Sequence, residues 1–186
     1  MAIWTLPNLF TFARILVVPF IVWRLLERDF EWAFWLFAAA AVSDLLDGSL
    51  ARLLNQRSEL GAWLDPIADK LVLLSTLLLL AWDGLLPIWF AALVLTRDSI
   101  VLGGAAAYRS LTGGLQVAPS WLGKAATMLE FVLVSAVLAE AALQLGLAWL
   151  LPGLFWVTAV QAAASGLHYV WLWSAKTYSF LRAVRS

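Results

Sequence analysis

Six long apolar runs separated by short polar interruptions make up nearly all of the chain, at about residues 9–26, 32–54, 61–82, 85–108, 121–145 and 148–173. The apolar positions are continuous, whereas a membrane β-barrel strand alternates with a period of two. Lipid offers the backbone no hydrogen-bond partner, so a continuous run of this kind predicts a helix. Roughly 20 residues cross the hydrocarbon core, and each run is near that length. The predicted fold is an all-α integral membrane protein with six transmembrane helices. No repeat at a fixed period, low-complexity tract or long linker interrupts the pattern, so residues 1–186 read as a single membrane domain. Met1 to Pro7 lack the basic stretch of a cleaved signal peptide, and the first run reads as a permanent span.

Composition agrees with the pattern: 63% of the 186 residues are hydrophobic and 13% are charged. A soluble domain of this size needs more polar surface than that. The net charge is zero, so no basic field points to nucleic acid. Cysteine is absent, which excludes disulfides, thiolate metal sites and cysteine nucleophiles.

The distribution of Lys and Arg predicts the orientation. With six spans both termini share a side, and on that side fall Arg52, Arg57, Arg109, Lys124, Lys176, Arg182 and Arg185. The other side holds Arg24 and Arg28, offset by Glu27, Asp29 and Glu31, and has no Lys or Arg near Asp83 or Gly146. The positive-inside rule makes the termini cytoplasmic. Trp4, Trp32, Trp82, Trp121, Trp149 and Trp171 fall near predicted span ends, as interfacial tryptophans do.

Two neighbouring spans carry four carboxylates, although a central Asp costs about 2.5–3.5 kcal/mol on insertion scales. Asp44 and Asp47 are three apart near the end of the second run; Asp65 and Asp69 are four apart near the start of the third. Each spacing shares one helix face, and the short connection between the runs predicts antiparallel neighbours. Four converging carboxylates repel unless cations separate them. Oxygen-only ligands suit hard divalent ions such as Mg²⁺ or Mn²⁺. Gly48 lets a ligand approach the backbone, Arg52 can hold a phosphate, and Gly61 leaves room between helices.

The pattern Asp44-x2-Asp47-Gly48-x2-Ala51-Arg52-x8-Gly61-x3-Asp65-x3-Asp69 resembles the full signature of the CDP-alcohol phosphotransferases. Chance agreement at its eight fixed positions is on the order of one in 10⁹. Pro7-Asn8-x2-Thr11 and Gly123-Lys124-x2-Thr127 extend the resemblance over most of the chain. It implies two divalent metals held by Asp44, Asp47, Asp65 and Asp69, with Asp69 also the general base. It further implies a CDP-lipid pocket lined by Asn8, Thr11, Gly48, Arg52 and Ser58, and a site at the cytoplasmic boundary of a bacterial inner membrane. The expected reaction is transfer of a phosphatidyl group from CDP-diacylglycerol to an alcohol, releasing CMP. Metal-bound carboxylates are poor bases, so Asp69 is expected to be the most loosely coordinated of the four. The one histidine, His168, reads as a packing or interfacial residue, and no covalent nucleophile is evident; the expected transfer is direct.

For the acceptor, Arg97, Arg109 and Lys124 form a candidate pocket for a second phosphate; membrane anchoring explains Arg109 and Lys124 as well. Arg97, inside an apolar stretch and followed by Asp98, needs a partner or a function. A phosphate pocket points to glycerol-3-phosphate or phosphatidylglycerol. The chain ends resemble the phosphatidylglycerophosphate synthase branch, and Arg97-Asp98 with Gly103-Gly104 and Tyr108-Arg109 resembles the CMP-forming cardiolipin synthases. Glycerol-3-phosphate is the slightly favoured expectation. Glu130 and Glu140 leave three readings open, pairing with Arg97, pairing with polar groups of a partner helix, or a subunit contact, and no chemistry is assigned to them. The family commonly forms homodimers, and the small residues at 103–107 permit close helix contact. A carboxylate-dependent transporter is the reading from another class; it fits less well, because the carboxylates cluster at one end of two spans.

Overall fold

Helix ends in this chain are set by local hydrogen bonding more than by composition. The computed structural model describes residues 6–53, 59–112 and 120–185, with side chains at residues 11–43, 67–108, 110, 120–178 and 182. Among these residues there is no strand; six α-helices run α1 Leu6–Leu26, α2 Phe30–Leu53, α3 Glu59–Trp82, α4 Ile88–Thr112, α5 Trp121–Leu143 and α6 Leu151–Arg185. A single 3-10 turn, Leu147–Trp149, precedes α6.

Arg28 ends α1 in the left-handed region, at φ 59°. The Arg28 and Asp29 amides then bond back to the Leu25 and Arg24 carbonyls at 3.0 and 2.9 Å, which closes orphan carbonyls at the helix end. Asp29 caps α2, its Oδ1 accepting from the Trp32 amide at 3.3 Å. Gly84, at φ 80°, ends α3 in the same way, with Leu85 N bonded to Leu80 O at 2.9 Å. Ser120 caps α5 through its hydroxyl and the Gly123 amide, 3.1 Å apart. After α5 the Glu140 carboxylate accepts from the Leu147 amide at 2.8 Å. Glu140 thus ties down a turn.

Six helices coincide with the six predicted runs, and the clearest differences lie at α4 and α6: α4 runs Ile88–Thr112 against a predicted 85–108, its start following Pro87. The last helix starts at Leu151 instead of residue 148, because Pro152 suits only a first turn. It also continues to Arg185, well past residue 173. Those added turns interleave Ser174, Lys176, Thr177, Ser179, Arg182 and Arg185 with apolar residues, so no continuous apolar run extends over them. By length and apolarity, Ile88–Tyr108 and Trp121–Leu143 qualify as membrane spans among the described residues.

The chain forms two compact units. The first comprises Met1–Leu86 and Val134–Trp149, the second Pro87–Leu133 and Leu150–Ser186. In the first, α1 packs on both α2 and α3, burying Ile21, Leu25, Ala33, Phe37, Ala68 and Leu77. In the second, α4 packs on α6 around Phe90, Val94 and Ala162, with the Phe90 and Phe155 rings 5.2 Å apart.

Large apolar side chains cover the outside as well. Leu16, Phe20, Trp23, Leu102, Val160 and Leu167 are all exposed, which in water would be a liability and in lipid is expected. The tryptophans at helix ends are among the most exposed, Trp121 at 86% and Trp149 at 80%; Trp4 lies outside the described residues. Several helix hydroxyls bond to carbonyls one turn back, as at Thr76 and Thr158, each 2.8 Å, which satisfies them without water. Arg24 pairs with Glu27 and Asp29 at 3.3 Å, and Arg28 with Asp83 at 3.2 Å.

Candidate active site

Asp44 and Asp47 occupy positions three apart in α2, and Asp65 and Asp69 positions four apart in α3. Helix α1 packs on both of these helices. The side chains of Asp44, Asp47, Gly48, Arg52, Asp65, Asn8 and Arg109 lie outside the described residues, and Ser58 lies outside them altogether.

Two of the predicted side chains in the first unit are described. Thr11 is buried, on the α1 side packed against neighbours. Asp69 is half exposed, and its Oδ1 accepts a hydrogen bond from Nη1 of Arg14. Arg14 is buried, three residues after Thr11 on α1. The signature contains no position in α1, so Arg14 does not come from the motif. A signal existed nonetheless: a lone Arg inside an apolar run is costly in a membrane and asks for a partner.

In the second unit Arg97 is 4% exposed and all three guanidinium nitrogens are engaged. Nη1 donates to Asp98 at 2.7 Å and Thr127 at 3.3 Å. Nη2 donates to the Gly123 carbonyl at 2.7 Å, and Nε to Ser165 at 3.3 Å. Glu130, also buried, lies 3.7 Å from Nη1. Of the readings open for Glu130, the ion pair with Arg97 is the one seen, and one guanidinium joins α4, α5 and α6.

Gly123 and Thr127, two letters of the second motif, are both Arg97 acceptors. Gly123 has a further constraint: a Cβ there would come within 2.7 Å of the Tyr169 hydroxyl, which accepts from the Ser120 amide at 3.1 Å. Lys124, the third letter, is exposed, its Nζ 5.4 Å from the Trp121 ring. The network leaves Lys124 outside while fixing the first turn of α5 that carries it.

His168 is half buried, its ring 6.1 Å from both Tyr169 and Trp171. Toward the ends of α4 and α6, Gly104, Tyr108, Trp173, Ser174 and Tyr178 line an open cleft of about 440 Å³. A Cβ on Gly104 would fall inside the Trp173 indole, so the small residue there serves packing within the chain. Gly103 has nothing within 4 Å.

An all-helical chain with an apolar exterior and carboxylate pairs on two helices defines a class of integral membrane proteins with a polar site. Comparison with known sequences gives the family. Residues 4–170 match the model of the CDP-alcohol phosphatidyltransferases, and the chain belongs to that family. It is 41% identical to a CMP-forming cardiolipin synthase of Streptomyces coelicolor over 129 residues, 66% of this chain and 60% of the relative. It is 32% identical to the human CMP-forming cardiolipin synthase over 182 residues, 89% of this chain and 60% of the relative. It is 40% identical to a CDP-diacylglycerol–glycerol-3-phosphate 3-phosphatidyltransferase of Cereibacter sphaeroides over 108 residues, 54% of this chain and 48% of the relative. The chain thus spans about 60% of the length of the cardiolipin synthases it matches.

Proposed function

We propose that the chain transfers a phosphatidyl group from CDP-diacylglycerol to phosphatidylglycerol, forming cardiolipin and CMP in phospholipid biosynthesis. The observation that carries this reading is the match to CMP-forming cardiolipin synthases over as much as 89% of the chain. Arg97-Asp98, which resembles that branch, agrees with it. A second reading, with glycerol-3-phosphate as acceptor, is favoured by the identity to the Cereibacter sphaeroides enzyme.

Asp44, Asp47, Asp65 and Asp69 would hold two divalent cations, Mg²⁺ or Mn²⁺. The donor set fits: only carboxylates, paired at helical spacing on α2 and α3, which hard cations favour. When bound, such ions neutralise charge on the pyrophosphate. Asn8, Thr11, Gly48, Arg52 and Ser58 bind the CDP-lipid. Asp69 takes the proton from the acceptor hydroxyl. The hydroxyl oxygen then bonds to the phosphorus carrying diacylglycerol, and the bridging P–O bond breaks toward CMP. Asp69 suits this work because its carboxylate stays half exposed.

Lys124 and Arg109 bind the acceptor's phosphate. Arg97 supports Lys124 by holding the start of α5 through Gly123 and Thr127. All six helices cross the membrane in this reading, with both termini and the site on the cytoplasmic side. The enzyme acts as a homodimer, and the open α4 face around Gly103 is its contact.

The test is CMP release by the purified protein in detergent with CDP-diacylglycerol, comparing phosphatidylglycerol with glycerol-3-phosphate. Release only with phosphatidylglycerol supports the first reading; release only with glycerol-3-phosphate replaces it with the second. EDTA should stop release, and Mg²⁺ or Mn²⁺ should restore it. Release that survives EDTA would remove the metal reading.

A further inference from the structure

A guanidinium stays protonated at any accessible pH, so burying one requires an anionic or strongly accepting partner. In α1, Arg14 is such a group, its side chain 2% exposed, and its Nη1 donates to Oδ1 of Asp69 on α3. The two partners differ sharply in burial. Asp69 keeps 46% of its side chain exposed, whereas in the Arg97–Asp98 pair both ends are buried, at 4% and 8%. Arg97–Asp98 is a closed lock. Arg14–Asp69 is buried at the guanidinium and half exposed at the carboxylate.

We propose that Arg14 is the positioning residue of the proposed base: it holds Asp69 by Oδ1 so that the exposed edge of the carboxylate meets the acceptor hydroxyl. This rests on the reading of Asp69 as base. A base oxygen must lie within about 2.6–3.2 Å of the hydroxyl oxygen whose proton it takes, and a carboxylate on a free rotamer samples that geometry only part of the time. The planar guanidinium restricts it in a way a compact ammonium cannot. The pairing also bears on the conflict between metal binding and basicity, since an oxygen engaged by Arg14 is less available to a cation. Arg14 belongs to the helix that carries Thr11, so α1 serves the bound CDP-lipid and the base together.

The experiment compares the full chain with Arg14→Lys, Asp69→Asn and Arg14→Met/Asp69→Asn, measuring thermal unfolding in detergent and CMP release. Arg14→Lys should unfold near the parent temperature and keep its KM for CDP-diacylglycerol within about threefold. Its kcat should fall about 10- to 100-fold, as when a group orienting a reactive carboxylate is lost. Asp69→Asn should unfold earlier, because it leaves Arg14 buried without its carboxylate, and the double variant should recover part of that loss. A folded Arg14→Lys enzyme with parental kcat would overturn the positioning role. A double variant no more stable than Asp69→Asn would overturn the pair itself. If Arg14→Lys does not fold, Arg14→Gln carries the same kinetic comparison. Failure of the underlying reading looks different: Asp69→Asn would keep turning over while the stability cycle stayed intact.

Discussion

Arg14 and Arg97 are both buried guanidiniums, and what they pair with decides what each can do. Arg97 meets Asp98, Thr127, Ser165 and the Gly123 carbonyl inside the second unit, while Arg14 meets a carboxylate that remains accessible. Lys124 shows the third situation, an exposed cation resting near a Trp ring. Replacing Lys124 with Ala should leave thermal stability nearly unchanged and raise the KM for a phosphate-bearing acceptor more than that for CDP-diacylglycerol, by about 10-fold. Equal rises for both substrates would return Lys124 to simple membrane anchoring. The signature makes the four aspartates legible from sequence, because their spacing is local to each helix. Arg14 is not legible that way, since its meaning lies in a partner on α3. The cost rule that singles out Arg97 applies equally to Arg14, and it is the tool that finds both.

Among the helices, α4, α5 and α6 are joined by side chains that a hydropathy pattern treats as interruptions. Arg97→Ala should lower stability by about 3–5 kcal/mol, since it leaves Asp98 and Glu130 buried without their cation. Thermal unfolding in detergent checks this. An unchanged unfolding temperature with a selective rise in acceptor KM would instead assign Arg97 to the acceptor pocket. Gly104→Ala should drive the Trp173 indole off α4 and lower stability by about 1–3 kcal/mol, while Gly103→Ala should be silent in the monomer. The run boundaries at α1, α3 and α5 are readable because turn residues follow them. The start of α6 is set by Pro152, and its end lies beyond the continuous apolar run, where polar and apolar residues interleave.

For the molecule as a whole, the distribution of Lys and Arg predicts sidedness, and the absence of cysteine makes that directly measurable. A single Arg182→Cys should react with a membrane-impermeant maleimide only from the cytoplasmic face, and Trp149→Cys only from the opposite face. The reverse labelling would invert the proposed topology. Helix α6, 35 residues long, measures about 52 Å at 1.5 Å per residue, against a hydrocarbon core of about 30 Å. In the proposed topology, with α6 crossing along the bilayer normal, about 20 Å of it stands outside the core, and a probe at Arg182 should be reached there.

The Arg14–Asp69 pair also sets an order of events during synthesis. Its members are 55 residues apart in sequence, and ribosomes add roughly 5–20 residues per second. Roughly 3–11 s therefore separate emergence of the cation from emergence of its counter-ion. In the proposed six-span topology α1 carries over that interval a charge that costs about 2.5–3.5 kcal/mol at a bilayer centre, and the arrival of α3 supplies Asp69 as one of its partners. In the proposed topology a lesion at Asp69 therefore removes a partner that the first helix meets only once the third has been made.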